Sequence, residues 1–113
     1  MTKKWNGKTI GFSEKTVEFP FEIVQVITYN DTFLVLLDIP EESEELNNIY
    51  CLDQDGNQIW QSEDLHVIKQ DMLLLPYEAM EIREEYLYAA DFYGRHYKIN
   101  PVNGKILDCI LKR

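Results

Sequence analysis

Two histidines, two cysteines and a dense set of carboxylates are the groups in this 113-residue chain with the capacity for chemistry. His96 stands beside Arg95 and near Lys98, with Asp91 five residues back across a turn. A His–Asp pair can act as general acid and base, yet a lone histidine near a strand end is more often a partly exposed structural residue. Cys51 and Cys109 fit no metal-ligand or redox spacing. A nucleophilic role would need His66 or His96 beside one of them in space, which nothing in the sequence provides, so both read as free thiols in strands. Asp53-Gln54-Asp55-Gly56-Asn57, with Asp64 at the twelfth position, has the acid spacing that opens a calcium loop. That loop needs Gly at position six and Glu at twelve, whereas position six here is Gln58. A hairpin turn accounts for the segment better. No Gly-rich phosphate loop, nucleophilic Ser elbow or clustered metal ligands occur. The expectation is a non-enzymatic protein with no catalytic, cofactor or metal site.

The carboxylates are the stronger signal. The formal net charge is -9, and between Thr16 and Ile68 there are twelve acids and no Lys or Arg. Outside that stretch eleven basic residues face eight acids. Glu41, Glu42, Glu44 and Glu45 form a run introduced by Pro40, and with Asp53 and Asp55 they are the candidate partner-binding residues. A field of this sign repels nucleic acid and attracts a basic protein surface. Acids also keep a small β-protein soluble, so the run alone does not decide between the two. Tyr77, Tyr86, Tyr88, Tyr93 and Tyr97 gather near Arg83, Arg95 and Lys98. That composition suits base stacking or a protein interface equally, and the overall acidity favours the interface.

The elements that must position these residues read as strands. Hydrophobic residues at 45%, with 12% aromatic, suit a folded chain of one domain, residues 1–113. The N-terminus has positive charge but no apolar run behind it, and no run approaches the ~18 apolar residues of a membrane span. Cytosolic residence, without membrane insertion, is the expectation. Alternating and β-branched runs between turn residues dominate, which predicts an all-β fold. Strands are expected at Lys8 to Phe12, Thr16 to Phe19, Glu22 to Tyr29, Thr32 to Asp38, Asn48 to Asp53 and Gln58 to Gln61. Further strands are expected at His66 to Ile68, Met72 to Leu75, Glu78 to Arg83, Tyr86 to Asp91, Arg95 to Ile99 and Lys105 to Leu111. Asn30-Asp31 and Glu84-Glu85 are the tight hairpin turns. Thr32 to Leu37 is apolar at both parities, so it should be covered on both faces.

The chain also repeats itself. Phe19-Pro20-Phe21-Glu22 returns 56 positions later as Leu75-Pro76-Tyr77-Glu78. Ile49-Tyr50-Cys51-Leu52-Asp53, then Gln58-Ile59-Trp60, corresponds to His96-Tyr97-Lys98-Ile99-Asn100, then Lys105-Ile106-Leu107. Two ordered matches indicate a duplicated unit, residues 8–61 and 64–111. The acidic run is an insertion in the first unit, where the second has only the short connection Phe92-Tyr93-Gly94.

Tyr88 to Leu107, and Ile49 to Trp60 with it, resembles the blade repeat of quinoprotein-type β-propellers. In that repeat a strand carrying an aromatic and an aliphatic before an acid or amide leads through a Gly-containing turn to an apolar residue, often Trp. The resemblance implies two blade-like, antiparallel, four-stranded sheets, about eight strands in all. It implies no catalytic residue, since the family's sites are assembled from many blades. Two blades cannot close a ring, so the sheets would pack face to face or chains would associate as a homo-oligomer. The leading expectation is a cytosolic binding module whose acidic half engages a basic protein, an immunity protein against a cationic toxin being one form. The alternatives are a partial propeller that oligomerises through its sheet edges, and a ligand or catalytic cleft between the units near His96 and Asp91.

Overall fold

The computed structural model of the protein describes residues 4–65 and 74–110. His66, the expected strand from it to Ile68, and the first half of the one at Met72 to Leu75 lie outside the described residues; Leu74 and Leu75 belong to no strand. Eleven strands are described: β1 (Trp5–Asn6), β2 (Thr9–Gly11), β3 (Thr16–Glu18), β4 (Ile23–Tyr29), β5 (Thr32–Leu37), β6 (Ile49–Leu52), β7 (Gln58–Gln61), β8 (Tyr77–Arg83), β9 (Tyr86–Asp91), β10 (His96–Ile99) and β11 (Ile106–Ile110). The fold is all-β. The two expected four-stranded sheets are present as antiparallel meanders, β4-β5-β6-β7 and β8-β9-β10-β11. Residues 9–18, expected within the first unit, form instead a separate three-stranded sheet with β1.

Side-chain alternation along β5 explains the layering. Leu34 and Leu36 point to one side, where they join Ile49, Cys51, Trp60, Met80, Leu87, Tyr97 and Ile99 in a core between the middle and C-terminal sheets. Phe33, Val35 and Leu37 point to the other, against Ile10, Phe19, Ile23 and Val26 under the N-terminal sheet. The molecule is therefore a three-layer stack with the middle sheet apolar on both faces, as the doubled apolar parity of β5 requires.

Both four-stranded sheets carry the same irregularities. Each has a bulge in its first strand, between Ile23 and Gln25 and between Tyr77 and Ala79. Each has another in its last pairing, where the extra residues Ile59 and Leu107 are both 49% exposed. These bulges and the hairpin turns Asn30-Asp31 and Glu84-Glu85 superpose the units with an offset of 54 through the first hairpin, not the 56 of the Phe-Pro/Leu-Pro match. Likewise Trp60 corresponds to Asp108, one residue beyond the Leu107 suggested by the sequence. The Pro-containing motif belongs to the entry into the sheet, whose length differs, so the likeness in residues runs out of step with the pairing.

On the structural register Phe33, Val35 and Leu37 match Leu87, Ala89 and Asp91. The face that the middle sheet turns to the N-terminal sheet is thus the face that the C-terminal sheet turns to the middle one. The sheets stack front to back, rather than face to face. The outer face of the C-terminal sheet then falls to Glu81, Arg83, Tyr86, Tyr88, His96, Lys98 and Asp108, a polar surface of the kind that ends a stacked array.

Trp60 fastens the two sheets at one edge. Its indole Nε1–H donates to the Pro101 carbonyl at 3.0 Å, and its ring covers Gly104, where φ is +77°. A Cβ at Gly104 would overlap the Trp60 ring at Cε3. Gly104→Ala therefore forces strained backbone and an overlap with a buried ring, and should lower stability by roughly 2–4 kcal/mol. A urea unfolding midpoint indistinguishable from the parent protein would refute this packing.

Candidate functional site

The acidic residues are carried by the connection from β5 to β6, which is pinned at both ends. At its start the Asp38 N–H donates to the Glu22 carbonyl at 2.8 Å. Within it the Ser43 N–H bonds to the Pro40 carbonyl and the Ser43 hydroxyl accepts the Glu45 N–H. Leu46 then dips into the core between the sheets. Asn48 closes the loop: its Nδ2 donates to the Leu37 and Tyr77 carbonyls, both at 2.8 Å, and its Oδ1 accepts the Tyr77 N–H at 3.0 Å. Asn48 is fully buried, so each of these bonds replaces a partner that water cannot supply.

This scaffold leaves Glu41, Glu42, Glu44 and Glu45 exposed. Beside them opens a cleft of about 380 Å³ lined by Ser43, Glu44, Glu45, Leu46, Asn47 and Asp64. Its lining carries the carboxylates of Glu44, Glu45 and Asp64 beside the Ser43 hydroxyl and the Asn47 amide, so negative charge dominates it. Such a lining suits an ammonium or guanidinium group. Among the described residues no three of His, Cys, Asp and Glu converge closely enough to hold a metal ion.

Asp53 and Asp55 lie elsewhere. The loop leaves the sheet at one end of β6 and the Asp53–Asn57 turn at the other, where the Gln54 side chain reaches the Asp31 carbonyl. Asp53 is turned into its own backbone: Oδ1 accepts the N–H groups of Asp55 and Asn57, both at 2.9 Å. Those bonds from Asn57 and Asp55, with Lys15 nearby, hold its carboxyl below the usual aspartate range. Of the six candidate residues the fold gathers the four glutamates, gives Asp53 a turn-forming role and leaves Asp55 exposed at the far end.

The His96–Asp91 pair does not form. His96 points to the outer face, where Nδ1 lies 2.9 Å from the Gly94 carbonyl, while Asp91 is buried with Arg95 Nε at 2.7 Å. Alternation on neighbouring strands puts the two on opposite faces of the sheet. The same rule divides the tyrosines. Tyr86 and Tyr88 lie outward under Lys98 and Arg83, with the cations 4.1 and 4.2 Å from the ring centroids. Tyr77 and Tyr97 meet edge to face inside at 5.5 Å. Both cysteines are free, and burial raises the Cys51 thiol away from the thiolate that a nucleophile needs.

Sequence reasoning did not single out Asn48 or Gln25, nor Asp91 as the acceptor that builds its own turn. Gln25 pairs with both backbone groups of Met80, donating to its carbonyl at 2.7 Å and accepting its N–H at 3.1 Å. One signal was available, because Asp53…Gly56, Asp91…Gly94 and Asn100…Gly104 recur with the same left-handed glycine.

A small stacked-sheet β-protein with a rigid acidic loop at one end is the class defined by this geometry. The chain belongs to the family described as a domain of unknown function, DUF7957, whose model matches residues 1–110. No curated protein matches it.

Two predictions follow from the site's construction. Asn48→Ala strands a buried N–H and two carbonyls and should cost roughly 2–4 kcal/mol in chemical unfolding, the desolvation penalty of unpaired polar groups; a loss below about 1 kcal/mol would show that the loop is not anchored there. Burial also raises the Tyr97 phenol to about 12, and Tyr77 is raised more strongly. In the unfolded chain both ionise near pH 10. Above that pH the folded state therefore retains protons that the unfolded state releases, and stability should fall as pH rises from about 10 toward 12. Loss of far-UV circular dichroism should coincide with the last of the tyrosine ionisations over that interval; ionisation of all seven tyrosines near pH 10 in a still-folded protein would contradict it.

Proposed function

We propose that the protein is a non-enzymatic, cytosolic binding module that engages a basic protein surface through Glu41, Glu42, Glu44 and Glu45. An immunity or inhibitor protein that neutralises a cationic toxin is the concrete form of this reading. The observation that carries it is the loop itself: four exposed carboxylates on a segment whose backbone is fixed at both ends by buried contacts. Fixing the loop in advance lowers the ordering cost of binding. Its charge would steer a cationic partner to a fast, salt-sensitive encounter. The meander order and front-to-back stacking of the two sheets support the likeness to propeller blades, which here serve as a scaffold.

Association through sheet edges is the weaker reading. Both backbone groups of Tyr77 and of Met80 on β8 are occupied by the amides of Asn48 and Gln25. On β11 the N–H groups of Ile106 and Cys109 are taken by the carboxylates of Glu63 and Asp108. Edges engaged in this way offer few sites for an incoming strand.

The test is capture of partners from lysate of the protein's own source at low and high salt, followed by carbodiimide cross-linking, which joins carboxylates to nearby lysines. A basic protein released by salt and cross-linked through residues 41–45 is the expected result. The E41K/E42K/E44K/E45K variant should unfold at the parental midpoint yet associate with that partner at least about tenfold more slowly at low salt. Equal rates for variant and parent would overturn the proposal.

A further inference from the structure

We infer that the turn between β9 and β10 presents Phe92 and Tyr93 as an apolar anchor, on the same end of the molecule as the acidic loop, for a partner whose basic surface contains an apolar recess. This inference rests on the binding-module reading and specifies the partner's chemistry. Phe92 is 75% exposed and Tyr93 58%, with ring centroids 6.0 Å apart. Neither ring belongs to the hydrophobic cores.

The turn beneath them is held rigidly. Asp91 Oδ1 accepts the Tyr93 N–H at 3.0 Å and the Arg95 N–H at 3.1 Å, while Oδ2 takes Arg95 Nε at 2.7 Å. The Gly94 N–H bonds to the Asp91 carbonyl with φ at +81°. The Arg95 guanidinium also lies 5.5 Å from the Tyr93 ring centroid. A buried ion pair adds little net stability by itself, whereas it fixes geometry well.

The chain supplies its own control. The β6–β7 turn uses the same bonds, with Asp53 accepting two N–H groups and the Gly56 N–H closing on the Asp53 carbonyl. Its tip residues are Gln54 and Asp55. The turn geometry therefore has no need of aromatics, and Phe92 and Tyr93 call for another account. Aromatic side chains on a preorganised turn are efficient interface anchors, because little freedom remains to be lost on binding.

The location identifies the occupant. Asn48, at the end of the acidic loop, is bonded to both backbone groups of Tyr77, Tyr77 is the register partner of Asp91, and Asp91 opens the aromatic turn. Both connections thus leave the stack at one end. Charge complementarity with the loop requires a cationic partner, and the rings require apolar surface within it.

Isotope-labelled protein comprising residues 1–113, titrated at low salt with two synthetic peptides, tests this. One contains eight lysines; the other contains the same eight lysines alternating with leucine. Both should shift the amide signals of residues 41–47. The leucine-containing peptide should also shift those of residues 91–96 and bind about tenfold tighter, the equivalent of one good anchor. Phe92→Gln with Tyr93→Gln, which mimics the polar tip of the other turn without changing charge, should erase that difference and leave the lysine-only affinity intact. Equal affinities for the two peptides, or a difference that survives the double substitution, would overturn the anchor while the acidic loop stands. Absence of shifts at 41–47 with either peptide would overturn the binding-module reading itself.

Discussion

Phe33, Leu34, Val35, Leu36 and Leu37 are all withdrawn from water, although a strand presents alternate residues to opposite sides. Something apolar must therefore lie against each face of β5. Both neighbouring sheets exist in answer to this requirement: the short N-terminal sheet covers one face and the C-terminal meander covers the other. The order of the stack follows, as does its polarity, because the second unit uses the same face as the first. Among the described residues no further sheet lies on the last face, and Tyr86 and Tyr88, beneath Lys98 and Arg83, occupy it where the middle sheet has Thr32 and Leu34.

Stacking sheets in this way creates a problem at their edges, and the molecule solves it with side chains. Gln25 and Asn48 imitate a strand along β8, each satisfying a backbone N–H and carbonyl of one residue. These amides couple layers that would otherwise be joined only by non-directional contacts, and they set how one sheet sits on the next. The acidic loop inherits its rigidity from the same contact, since Asn48 both ends the loop and holds Tyr77. Structure and candidate function are joined at that residue.

Most strands and both tight turns were legible in the sequence because period-two alternation and turn chemistry are local. Asn30, Glu84 and Glu85 adopt positive φ where the hairpins were expected. The acidic loop was legible for the same reason, as a charged insertion after a proline. The separation of Asp53 and Asp55 from the glutamates was not legible. Nearness in sequence suggested one surface, whereas a four-residue strand, β6, carries the turn to the opposite end of the sheet. His96 and Asp91 were separated by a like effect, one facing out and the other in.

By itself the sequence determined an all-β chain, its duplication, the doubly covered β5 and the concentration of net negative charge between Thr16 and Ile68, since each depends on residue type and short-range periodicity. Tertiary structure alone decided that residues 9–18 would form a third sheet, that the sheets stack front to back, and that the first hairpins of the two units superpose two residues out of step with their likeness in sequence. It also decided that Phe92 and Tyr93 stand at the same end as the acidic loop. Those features depend on bulges, on amides reaching across layers and on which face meets which. They are set by contacts between residues far apart in the chain, and no local pattern encodes them.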